Sequence, residues 1–208
     1  ASGVQTMVDM ALAATELSSR FGGVMSGEHG DGLQRSELNE RIFGPELYAA
    51  MREFKHLWDP RGLMNPGKKV DAPPMTENLR YGPTYRAREP NTYLDFRAEG
   101  GFARAVEMCN GAAVCRKLKA GTMCPSFMAT RDEKDSTRGR ATALRDALAG
   151  ELLDRSDLAS SEVYDVLDLC LSCKACKTEC PSSVDMAKLK TEFLAHYHAA
   201  HGTPLRSR

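Results

Sequence analysis

The chain has 208 residues, 42% hydrophobic and 27% charged, enough for one large or two small domains with cores of their own. Its 28 basic and 28 acidic residues cancel, so nothing suggests a nucleic-acid partner, which requires a concentrated basic surface. No run is long and apolar enough for a transmembrane segment, and no secretory signal opens the chain. The start at Ala1-Ser2-Gly3 and the basic end Arg206-Ser207-Arg208 read as those of an internal piece of a longer protein.

Residues 1–70 read as helices joined by glycine-rich turns. Val4, Met7, Val8, Ala11 and Ala14 recur at helical spacing, and Gly22-Gly23 stops that run. Ser26-Gly27-Glu28-His29-Gly30-Asp31-Gly32 then sets a carboxylate beside an imidazole between glycines. Read alone, this is a polar glycine turn. Its chemistry offers Glu28 as a metal ligand and His29 as a proton acceptor or substrate contact. Leu47, Met51, Phe54 and Trp58 mark a second amphipathic helix, with Pro45 in its first turn and Asp59-Pro60 as its stop.

Residues 71–100 form a linker by composition. Pro73, Pro74, Pro83 and Pro90 break helices, and Arg80, Arg86, Arg88 and Arg97 keep the stretch solvated. The expectation is an ordered strap draped over the neighbouring domain, in which residues 93–96 fit one short strand. Beyond it, cysteine motifs alternate with helices. Residues 102–108 lead into Cys109, and residues 137–148 make a connecting helix with Leu144 and Leu148 on one face. Val163, Val166, Leu167 and Leu169 lead into Cys170, and Met186, Leu189, Phe193 and Tyr197 stripe a last helix. His196, His198 and His201 crowd that helix with no carboxylate cage, so they read as a solvated face, as does His56. The fold class is mainly α.

All seven cysteines lie between Cys109 and Cys180. An odd, clustered set without a leader speaks for metal ligation in a reducing compartment: the cytoplasm, or its border as a peripheral protein at the inner face of the membrane. Cys170, Cys173, Cys176 and Cys180 follow C-x2-C-x2-C-x3-C-P, closed by Pro181, the run of bacterial ferredoxins. Three such thiolates wrap three corners of one 4Fe-4S cubane, while the fourth serves the other site in two-cluster proteins. Cys109, Cys115 and Cys124 are spaced C-x5-C-x8-C-P, and Cys124-Pro125-Ser126 repeats Cys180-Pro181-Ser182. By exchange, Cys124 completes the set of Cys170, Cys173 and Cys176. Cys109, Cys115 and Cys180 then hold a second cluster, either three-iron or four-iron with a non-cysteine ligand. The alternative is one cluster held by Cys170, Cys173, Cys176 and either Cys124 or Cys180. A zinc site would favour separated C-x2-C knuckles. Between the motifs, residues 130–140 (TRDEKDSTRGR) read as a solvated helix entrance capped by Ser136 or Thr137, or as cations, Arg131, Arg138 and Arg140, that offset a negative cluster.

The pairing of the two motifs resembles the helical ferredoxin domain of the succinate dehydrogenase iron–sulfur subunit. SGEHGDG, followed by RSELNERIFGPELYAAMREFKHLWDPRGLMNPGK, resembles the C-terminal part of FAD-linked oxidases of the vanillyl-alcohol-oxidase type. Within these it is similar to the D-lactate, glycolate and D-2-hydroxyglutarate dehydrogenases. That resemblance implies a divalent metal held in part by Glu28, a 2-hydroxy acid whose hydroxyl proton His29 accepts, and a flavin near Asn65. Asp31 stands where several relatives have an apolar residue. GTMCPSFMATRDEKDSTRGRA is similar to the iron–sulfur region of a fused bacterial subfamily. The implied organisation is a C-terminal segment of an FAD-linked oxidase domain over residues 1–70, a linker over 71–100, and a helical ferredoxin-like 4Fe-4S domain over 101–208. The implied function is a dehydrogenase with FAD bound mainly by residues upstream, passing electrons through clusters to a quinone or a carrier protein. The competing reading is a non-catalytic iron–sulfur electron-transfer module.

Overall fold

A computed structural model describes residues 3–82, 84–150 and 158–204; among them no strand forms, and nine α-helices carry the fold. Contacts divide the chain into two units, Ala1–Tyr85 and Arg86–Arg208, so the proline-rich stretch is shared between them.

In the first unit, α1 (Gly3–Arg20) half-buries Val4, Met7, Val8 and Ala11. Thr15, fully buried, continues that face, and Ala14 is exposed. Gly22, at φ 68, takes the left-handed turn that ends the helix. Helix α2 (Gly32–Arg35) leads through a 3-10 turn, Ser36–Leu38, into α3 (Asn39–Trp58). Gly44 leaves helical geometry at φ 78, and Pro45 opens the segment beyond the kink, so the proline does occupy a first turn, inside α3.

The second unit is built on α4 (Phe102–Glu107), α5 (Pro125–Thr130), α6 (Thr137–Ala149), α7 (Ser161–Asp168), α8 (Ala175–Glu179) and α9 (Met186–His201). Helices α4, α6, α7 and α9 meet around Phe102, Val106, Leu144, Leu167, Leu189 and Phe193, all sealed from solvent. Sequence-local caps fix where these helices begin: Ser136 accepts from the Gly139 amide, Ser160 from Val163 and Asp185 from Lys188. The apolar stripe expected of α9 is buried at Met186, Leu189 and Phe193, and Tyr197 stacks on Tyr164.

The strap is ordered, but its expected strand at residues 93–96 does not form. No strand lies alongside, among the described residues, to accept its amides. A carboxylate does so instead: the Tyr93 and Leu94 N–H groups each donate at 2.8 Å to Glu192, which is wholly buried in α9. Glu89 of the strap likewise accepts from the first amides of α4, at Phe102 and Ala103. The three histidines of α9 are hydrogen-bonded rather than merely solvated, His196 to Glu192, His198 to the Gly202 carbonyl and His201 to the Ala159 carbonyl.

Glu192→Ala orphans two amides at once. The expected loss is about 3 kcal/mol of stability, with Glu192→Gln losing less, and urea unfolding followed by circular dichroism measures both.

Candidate functional site

The cysteine-bearing segments of the second unit end in short helices. Pro125, at the first position of α5, places Cys124 just outside it, and α8 begins immediately after Lys174. Cys124 and Cys176 are buried, Cys170 is half-buried and Cys173 is exposed. All four line one cavity, together with Arg140, Met123 and Met186. Thus Cys124 of the first motif shares a cavity with three cysteines of the second. Between them the backbone enters the left-handed region at two residues that are not glycine, Ser172 (φ 51) and Lys174 (φ 62). Each such residue costs about 1–2 kcal/mol. Alternation of this kind turns successive amides into an anion-binding concavity, a form common at iron–sulfur sites.

Cys109 and Cys115 are buried and lie within electrostatic reach of each other. Gly111 (φ 81) and Ala113 (φ 63) supply the left-handed turns between them. Burial pushes the Cys115 thiol up, only partly offset by hydrogen bonds with the Arg138 main chain and Ser136. Burial pushes the Cys176 thiol up as well, so loading either residue with metal must displace a proton. Cys180 is half-buried at the end of α8, its amide donating to the Cys176 carbonyl. Among the described residues, no three His, Cys, Asp or Glu side chains converge to hold a single ion. A mononuclear site draws every sulfur to about 2.3 Å from one centre, whereas a cubane spreads its thiolates over separate corners. The cavity lining supplies four thiols, the number a 4Fe-4S cubane takes.

The charged stretch between the motifs divides its arginines. Arg131 is exposed, and Arg138 pairs with Glu133 at 2.7 Å. Arg140 is fully buried: Nη1 reaches Cys124 Sγ at 3.3 Å, Nη2 the Ser126 hydroxyl at 3.0 Å, and Nε the Val166 carbonyl at 3.1 Å. Ser136 caps α6, as expected, and Arg140 faces the Cys124 sulfur. Gly139 makes room for this, since a Cβ there would run into the Glu133 carbonyl.

In the first unit, Glu28 and His29 stand 3.6 Å apart at the surface, their side chains 87% and 82% exposed. Asp31, the next acid in the motif, points the other way and is buried. It accepts from Lys69 Nζ at 2.6 Å and Asn39 Nδ2 at 3.1 Å. Burial alone would raise its carboxyl, but these two hydrogen bonds outweigh it and hold Asp31 below the usual carboxylate range. Asn39 also donates to the Lys69 carbonyl, and the Lys69 amide donates to Ser36 Oγ. The glycine motif is thereby bolted to the segment around Asn65, a link that residue spacing did not reveal. Asn65 itself, at φ 46, borders an open groove shared with Gly30, Gly32, Phe54 and Trp58. Asp59 sets the approach to Asn65: it pairs with Lys55 and accepts from the Leu63 and Met64 amides at 2.9 and 2.8 Å.

Residues 2–69 match the family FAD linked oxidases, C-terminal domain, and residues 105–184 match the 4Fe-4S dicluster domain. Among curated relatives, a D-2-hydroxyglutarate dehydrogenase of Pseudomonas putida is 35% identical over 93% of this chain and 22% of its own length. The protein of the same name from Escherichia coli is 31% identical over 91% of the chain and 22% of its length. A D-lactate dehydrogenase of Archaeoglobus fulgidus is 46% identical over 26% of the chain and 12% of its length. The chain thus spans about a fifth of the long relatives it matches from end to end. No solved structure matches it.

The Lys55 hydrogen bond, with those from Met64 and Leu63, lowers the Asp59 carboxyl from 3.8 to about 2. The sign follows from linkage: its contribution is complete above the unfolded value and is lost as pH falls through the folded one. Asp59→Asn should therefore destabilise the first unit at pH 6, and the difference from wild type should disappear on approaching pH 2. Trp58, the one tryptophan, reports this unfolding by fluorescence.

Proposed function

We propose that this chain, a FAD linked oxidase C-terminal segment joined to a 4Fe-4S dicluster domain, is the part of a dehydrogenase where oxidation of a D-2-hydroxy acid passes into one-electron transfer. The observation that carries the reading is the cavity ringed by Cys124, Cys170, Cys173 and Cys176, in the same chain as the Glu28-His29 pair. The substrate class follows the relatives, D-2-hydroxyglutarate or D-lactate.

His29 takes the proton of the substrate hydroxyl while the α-hydrogen leaves as hydride, giving a 2-oxo acid. Glu28 contributes a carboxylate to a divalent metal that would orient the substrate, and it stabilises the imidazolium that forms on His29. Asn65 lies on the flavin side of the same unit. FAD, bound mainly by residues outside this chain, supplies the two-electron acceptor, and iron–sulfur clusters supply one-electron steps; a mismatch in electron number is the reason to join the two. Cys124, Cys170, Cys173 and Cys176 hold one 4Fe-4S cluster. Cys109, Cys115 and Cys180 hold a second with a three-thiolate set. The working modules are residues 1–70 and 101–208, joined through 71–100. Electrons leave to a quinone or a carrier protein on the cytoplasmic side, and no described helix is long and apolar enough to cross a membrane.

The ligand assignment is tested by anaerobic reconstitution with iron and sulfide, followed by metal analysis and EPR. Wild type should bind iron and give a signal on reduction. Cys124→Ser should abolish the cluster of residues 170–176, whereas Cys180→Ser should spare it and reduce total iron. A colourless, zinc-loaded protein would sink the cluster reading.

The catalytic half is tested in the flavin-containing protein that includes the upstream residues. His29→Ala should slow flavin reduction by a 2-hydroxy acid about 10²–10⁴-fold, the usual worth of a positioned base. A rate within a few-fold of wild type would leave only the electron-transfer module.

A further inference from the structure

Among the described residues, Arg140 heads the large side chains that are completely buried. A guanidinium has five N–H donors in a fixed fork and stays charged, so it is sealed in a core only where acceptors meet it. Its acceptors come from two segments: the Cys124 sulfur and the Ser126 hydroxyl at the start of α5, and the Val166 carbonyl in α7, four residues ahead of Cys170. Its compensating charge is Asp135, 1% exposed, whose Oδ1 lies 3.5 Å from Nη2. Neither Asp135 carboxylate oxygen has a hydrogen-bond partner among the described residues. The carboxylate therefore balances the charge through space, while the directed N–H bonds go to sulfur, hydroxyl and carbonyl. The Asp135 main chain is drawn in too, its carbonyl accepting from both Cys124 Sγ and Ser126 Oγ.

We infer that Arg140 is the positioning residue that joins the two halves of this cysteine set and favours the reduced state of the cluster the set holds. The inference rests on the cluster reading above. It adds the group that aligns Cys124 with residues 170–176 and acts on the ligand sulfur. A cationic N–H donor on a ligand sulfur withdraws negative charge, and reduction adds one electron to the cluster, so the reduced form gains more from the bond. Lys190 makes a useful contrast. Its ammonium donates to the Asp168 and Cys170 carbonyls, which orders the loop without touching a sulfur.

The test compares wild type, Arg140→Lys and Arg140→Gln after anaerobic reconstitution, by circular dichroism, iron and sulfide content, rate of iron loss to a chelator, and EPR-monitored redox titration. With helicity and loading equal to wild type, Arg140→Gln should lose iron about tenfold faster. Its reduction equilibrium should fall about tenfold, equivalent to 59 mV for a one-electron couple. Arg140→Lys, which keeps the charge but not the fork, should fall between. Unchanged potentials in loaded, folded variants overturn the proposal while the cluster reading stands. A wild-type chain that takes up no iron overturns the cluster reading itself. Should Arg140→Gln not fold, Arg140→Lys decides, because it keeps the buried charge opposite Asp135 and loses the fork that reaches the Cys124 sulfur. A lowered potential then supports the proposal, and an unchanged one overturns it.

Discussion

A charge sealed among helices has to be answered by groups that the chain brings from elsewhere, and around Arg140 those groups define the second unit. The sulfur of Cys124, the hydroxyl of Ser126 and a carbonyl of α7 all turn toward one guanidinium. Their convergence fixes α5 and α7 against α6. Ser136 caps α6 from one side, and Gly139 lets the Glu133 carbonyl sit directly on that helix. The apolar core of Phe102, Leu144, Leu167 and Phe193 supplies the bulk of the burial. The polar knot decides how the cysteine segments meet on its edge.

The two units solve different problems. The second encloses a continuous core and seals its strap with Glu192 and Glu89. The first has a small apolar interior, Leu38, Val70 and Met75, and relies on buried polar links from Asp31, Ser36, Asn39 and Asp59. It leaves Phe54, Leu57 and Trp58 largely exposed along α3. A contiguous apolar face of that kind marks a surface built to be covered. Phe54 and Trp58 share a groove with Asn65.

Much of this was legible in the residues because local chemistry dictated it. The C-x2-C-x2-C run, the proline after each terminal cysteine, the cap at Ser136 and the stripe of α9 depend on neighbours in sequence. What escaped depends on partners far along the chain. Residues 93–96 form no strand, and the Tyr93 and Leu94 amides end on a glutamate about a hundred residues away. Asp31 reads as one more polar residue in a glycine turn until Lys69 and Asn39 close on it. The polar residues of TRDEKDSTRGR do not distinguish the arginine that is sealed from the two that are not, since all three sit in the same company. Only Gly139, whose absent side chain admits another backbone, marks the place.

The four cysteines at the cavity are drawn from both sides of α5, α6 and α7, with Cys124 before them and residues 170–176 after. A cluster seated there would act mechanically as a cross-link, closing the intervening chain into a ring of iron–sulfur bonds. Closing so long a segment removes a large share of the freedom the unfolded chain would otherwise regain. Cofactor and fold would then guard one another. Oxidative loss of iron would open the ring, and loosening of the core would let the cysteine segments drift apart and release the metal.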